Sequence, residues 1–143
     1  VRIAASMGVK HLTEGYAVSC EVNDGPLTKS LRGPGAPITI LDALARVDLG
    51  KKKLDDMIMR RVADPRRDAH NILITPRLQA KAAAHLRLLI NKGVSFLVVA
   101  LMWDEEAAET LNTAAALGCS AVEVRPEQSI AAALSIEVGA GRR

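Results

Sequence analysis

The chain has 143 residues, 49% of them hydrophobic and 24% charged, which suits one domain with a buried core and confines expected disorder to the last few residues. A net charge of only +3 argues against a dedicated nucleic-acid binder, and no apolar run approaches the roughly 20 residues of a membrane helix. The aromatic residues are Tyr16, Phe96 and Trp103 alone, so the core must be built from Ala, Val, Leu, Ile and Met.

The opening "VRIAASMGVKHLTE" places Val1, Ala4, Ala5, Gly8, Val9 and Leu12 at helical spacing, with Gly15 as a stop. Charges run through it, so it is no signal peptide. No capping residue precedes it and the first residue is Val, which predicts a chain cut inside a helix. "YAVSCEV" alternates Tyr16, Val18, Cys20 and Val22 against smaller or polar residues and predicts a strand. Asn23-Asp24-Gly25 signals a tight turn, leading into the short edge segment "PLTKSL". "ITILDALARVDL" reads as a helix with Ile40, Leu41, Leu44 and Val47 inward, and "KKKLDDMIMRRVADP" as a second helix ended by Pro65.

From residue 71 the alternation is regular. A strand over 71–75 is followed by a helix over 78–91, with Gly93 as its stop. "VSFLVVAL" is apolar on both faces, as buried parallel strands are. Asp104 suits the N-cap of a helix over 105–117, Glu105 and Glu106 complement its dipole, and Gly118 ends it. "SAVEVR" and a last helix from Gln128 to Ile136 complete the pattern. The expectation is an α/β fold: an open, mostly parallel Rossmann-like sheet with helices on both faces, one domain over 1–138, and a disordered tail at 139–143.

Several chemistries lack their residues. The chain has no GxGxxG or GxxxxGK[ST] loop, and Gly33 to Gly35 does not sit between a strand and a helix start. His11, His70 and His85 are scattered, and His85 lies on the apolar stripe of its helix. There is no GxSxG elbow. Asp55-Asp56 and Glu105-Glu106 are helical neighbours whose carboxylates point apart. Cys20 and Cys119 belong to no CxxC pair and read as buried free thiols. Residues 51 to 67 carry Lys51, Lys52, Lys53, Arg60, Arg61, Arg66 and Arg67 against Asp55, Asp56 and Asp64. That basic patch holds no aromatic for base stacking, so a solvated helix face is the plainer reading and nucleic acid is not the expected partner.

The succession "VRIAASMGVKHLTEGYAVSCEVND", "ILDALARV", "NILITPRLQAKAAAHLRLLINKGVSFLVVAL" and "LGCSAVEVRPEQSIAAAL" resembles the C-terminal part of a bacterial group of von Willebrand factor A-like proteins, catalogued as domain of unknown function fifty-eight. The resemblance implies that the first, central strand precedes this chain. Strands 16–22 and 71–75 would then either pair with each other or keep unpaired backbone groups. It also implies a degenerate metal site. The magnesium-binding members use a DxSxS motif, a Thr from a second loop and an Asp closing the fourth strand. Here the DxSxS strand is lacking, Thr39 is one residue out of register, and the fourth-strand position reads Thr75-Pro76-Arg77.

Three functions remain in view. The first, implied by the resemblance, is a non-catalytic protein–protein interaction domain with no cofactor, metal or small-molecule substrate. It would act as adaptor for a MoxR-type AAA+ ATPase, in the cytoplasm, and the resemblance implies a parent anchored by membrane helices upstream. Its partner surface would lie at the carboxyl ends of the strands, at Thr75, Arg77, Trp103 and Asp104, with Trp103 either stapled over the helix start or exposed as an anchor. The alternatives are a Rossmann-like enzyme whose active-site motif lies upstream, and a weak nucleic-acid-binding module using Arg60, Arg61, Arg66 and Arg67.

Overall fold

A computed structural model describes residues 1–105, 107–127, 129–130 and 132–133. The helix expected over 128–136 and the tail at 139–143 lie largely or wholly outside the described residues, as does Glu106. The chain divides into two compact units, Val1–Met57 and Ile58–Arg143.

The first unit begins with α1 (Arg2–Thr13), which has no side-chain cap, in keeping with its sequence. It ends through bonds from Gly15 N–H to the Leu12 carbonyl and from Tyr16 N–H to that of His11. It packs on α2 (Ala36–Ala45), where Leu12, Ala36, Ile40 and Leu44 form the buried core, flanked by Ala4, Ala5, Val9, Val18 and Leu31. Gly8 sets the approach of the two helices, because a methyl group there would stand 2.7 Å from Ile40 Cδ1. The inward face of α2 differs from expectation at Leu41, which is exposed together with Ile38. With Ile40 and Leu44 already in the core, Leu41 falls about 100° round the helix from Ile40.

The strand expected over 16–22 is much reduced. Only β1 (Glu21–Val22) is regular, paired antiparallel with β2 (Gly25–Pro26), and Val18 forms an isolated bridge with Leu31. The Cys20 carbonyl accepts from both Leu27 and Thr28 N–H, so the ladder is interrupted there. The Asn23-Asp24 turn folds the segment onto its own continuation. It therefore does not pair with strand 71–75.

α3 (Leu54–Ala63) carries the chain onward, with Asp55 and Asp56 in its first turn and Arg60 and Arg61 in its last, each suited to the dipole. The second unit is built on β3 (Asn71–Thr75), β4 (Phe96–Leu101) and β5 (Ser120–Val124), all parallel and in the order β3-β4-β5. Val98, Val99 and Ala100 are fully buried, so the central strand is covered on both of its faces. α4 (Ala80–Asn91) joins β3 to β4, and α5 (Ala107–Ala116) joins β4 to β5. α4 and α5 end alike: Gly93 and Gly118 have φ of +85° and +75°, and the residue after each donates to a carbonyl five positions back. Any side chain at these two positions would strain the left-handed turn. This second unit is α/β with a parallel sheet, consistent with a Rossmann-like fold.

Candidate functional site

The carboxyl ends of the three parallel strands are built on two buried threonines. Thr75, the last residue of β3, is 5% exposed; its hydroxyl donates to the Arg77 carbonyl at 2.8 Å and accepts from Arg77 N–H at 3.3 Å. Thr75 thus makes the turn over Pro76 and presents no side chain to a partner. Thr110, inside α5 and 1% exposed, donates to the Pro76 carbonyl at 3.1 Å and accepts from Leu78 N–H at 3.1 Å. One hydroxyl therefore ties the loop that leads into α4 to the body of α5.

Above this base the loop after β4 is held at both ends. Met102 N–H donates to the Val124 carbonyl at 3.0 Å, fixing the loop to the end of β5. Asp104 caps α5, its Oδ1 accepting from Ala107 N–H at 3.1 Å, while Oδ2 accepts from Arg77 Nη2, also at 3.1 Å. The expected N-cap is therefore present, and the helix begins at Ala107, later than 105. Arg77 and Asp104 both lie at the surface, so their pair fixes loop geometry and contributes about 0–1 kcal/mol.

Trp103 stands on this frame with 70% of its surface exposed. It does not close down on the helix start as a staple would. With Met102, Asp104, Glu105, Ala108 and Arg125 it lines an open groove of about 370 Å³. Arg125 Nε donates to Glu123 Oε1 at 3.1 Å. Of the four residues expected at this surface, the structure brings Arg77, Trp103 and Asp104 together, and assigns Thr75 to the foundation beneath them.

Arg60 and Arg61 are half-buried in the last turn of α3, while Arg66 and Arg67 are exposed in the turn that follows. Asn71 Nδ2 shapes that turn by donating to the Ala69 carbonyl at 2.9 Å and the Arg66 carbonyl at 3.3 Å. Lys51, Lys52 and Lys53 belong to the first unit. There the backbone N–H groups of Lys52 and Lys51 donate to the two Asp24 oxygens at 2.8 and 3.1 Å. These two bonds, the Lys52 one foremost, hold the Asp24 carboxyl below its ordinary 3.8.

Elsewhere the reactive side chains are occupied structurally. His11 Nδ1 lies 2.7 Å from the Met7 carbonyl within α1. Thr39 is inside α2, its hydroxyl donating to the Gly35 carbonyl at 3.1 Å. Cys20 and Cys119 are unbonded to each other and half-buried, less deeply than expected, and burial pushes both thiols up from their ordinary value. Among the described residues no group of three or more His, Cys, Asp or Glu could hold a metal ion, and no helix is long and apolar enough to cross a membrane. Sequence reasoning missed Thr110, Asp24 and Asn71. No known protein family, curated protein or solved structure matches the chain.

Proposed function

We propose that the chain is a von Willebrand factor A-like interaction domain that docks another protein at the carboxyl ends of its parallel strands, without chemistry of its own. Trp103 carries this reading. It is an exposed aromatic on a loop pinned to β5 and to the α5 cap, beside the surface Arg77–Asp104 pair. A rigidly held Trp flanked by an Arg is the side-chain chemistry that dominates protein interfaces. An open groove suits a macromolecular surface better than an enclosed metabolite.

The resemblance of the "NILITPRLQAKAAAHLRLLINKGVSFLVVAL" stretch supplies the partner, a MoxR-type AAA+ ATPase for which the chain acts as a cytoplasmic adaptor. A degenerate metal site belongs to the same reading. The Thr75 hydroxyl is bonded within its own turn, and Pro76 offers no side-chain oxygen.

Trp103 is the chain's one tryptophan, so its fluorescence reports on this surface alone. Titration with a MoxR-type ATPase should shift the emission to shorter wavelength. Trp103→Ala should weaken binding by about tenfold or more, the loss expected at a central anchor. Equal binding by the variant, or no binding by the parent chain, would sink the proposal. Stoichiometric magnesium uptake in calorimetry would overturn the degenerate-site part.

A further inference from the structure

Trp103 does not stand among neutral neighbours. Asp104, Glu105, Glu109, Glu123 and Glu127 gather at the carboxyl ends of β3, β4 and β5, where the described cations are Arg77, Lys81 and Arg125. Two of those cations are engaged with carboxylates, Arg77 with Asp104 and Arg125 with Glu123, both at 3.1 Å. Glu105 is exposed, lines the groove with Trp103 and enters no ion pair among the described residues. Glu109 is exposed in the first turn of α5 and is likewise uncompensated. The opposite end of the same unit leans to the other sign: Arg66 and Arg67 are exposed in the turn before β3, and Lys92 follows α4.

Charge and aromatic face together define the complement of this groove. The face of an indole attracts a cation held within about 6 Å of its centre. A carboxylate that no neighbour has neutralised adds to that attraction. The positive end of the α5 dipole favours an anion, but Asp104 already occupies it, accepting from Ala107 N–H at 3.1 Å. An acidic side chain entering the groove would therefore meet Glu105, with Arg125 already committed to Glu123. A basic one meets an open indole and a carboxylate in want of a partner.

We propose that the partner side chain seated against Trp103 is an arginine or a lysine, its cation over the indole face and its charge answered by Glu105. Arginine is the better fit, because its planar and weakly hydrated guanidinium stacks on an aromatic face. The inference rests on the reading that the carboxyl ends of the strands dock another protein, and it adds what that protein must present there.

The test titrates the full chain at low salt with short peptides of one length, leucines flanking a central arginine, glutamine or glutamate, and follows Trp103 emission. The arginine peptide should bind about tenfold more tightly than the glutamate one, with glutamine between, and its advantage should shrink as salt is raised. Glu105→Lys, at an exposed loop position, should remove that advantage. Trp103→Ala, followed by calorimetry, should lose the arginine peptide. Binding that survives this change is diffuse attraction to an acidic surface and overturns the proposal. Equal affinity for the three peptides, or a preference untouched in Glu105→Lys, overturns it as well. The docking reading then still stands if a peptide, or the ATPase, continues to shift the emission. A Trp103 emission that no peptide moves also sinks the proposal, and leaves the docking reading to the ATPase titration.

Discussion

Thr110 and Thr75 are the buried polar side chains among the described residues, and both lie under the candidate site. Each has its hydroxyl used as donor and acceptor at once. For Thr110 this satisfies the Pro76 carbonyl and the Leu78 N–H, which would otherwise be stranded against an apolar helix face. Thr110→Val keeps the shape and removes both bonds. Chemical denaturation should show a loss of about 1–3 kcal/mol, the cost of leaving buried backbone groups unsatisfied. Trp103 should move with it, its emission shifting as the loop loosens. Asp104 was legible in the sequence because an N-cap bonds to residues three positions on. Thr110 was not, since its partners lie 32 and 34 residues away. A threonine on an alanine-rich buried stripe was the one local signal.

Among elements, the helix ends and the parallel strands were readable, and the first strand was not. Gly15, Gly93 and Gly118 each stand where a helix pattern runs out, and all three adopt positive φ. The strand at 71–75 matches its expected bounds, because its apolar run stops at Pro76. Alternation in Tyr16 to Val22 suggested a full strand, but alternation specifies faces, not partners. The nearby turn supplies a partner at once, and pairing then proceeds only where Val18, Glu21 and Val22 meet the returning segment. Asp24 in that turn holds the segment that precedes α3 through Lys51 and Lys52. Because those bonds depress its folded pKa, their contribution is complete above the ordinary carboxylate value of 3.8 and is lost as pH falls through the lowered one. Carboxyl chemical shifts should show Asp24 titrating below 3.8. Asp24→Asn should flatten that part of the stability profile while leaving neutral-pH spectra of β3 to β5 unchanged. A titration at the ordinary value would refute the latch.

Across the whole molecule, the two units have cores of different depth. The second contains Leu86, Leu89, Val98, Val99 and Thr110 among the largest fully buried side chains, and the first contains Ile40. Local opening follows buried contact, so native-state exchange should find β4 amides slowest and residues 16–31 among the first to exchange. The reverse order would mean that the cores are wrongly assigned. The strand order has a bearing on what kind of encounter the molecule can support. Among the described strands, β3, β4 and β5 lie side by side in their sequence order, so no reversal of strand order opens a fork over β4. Whatever settles there rests on a ledge. On the proposed reading, a partner's grip there comes from breadth of contact, and it should arrive and leave readily.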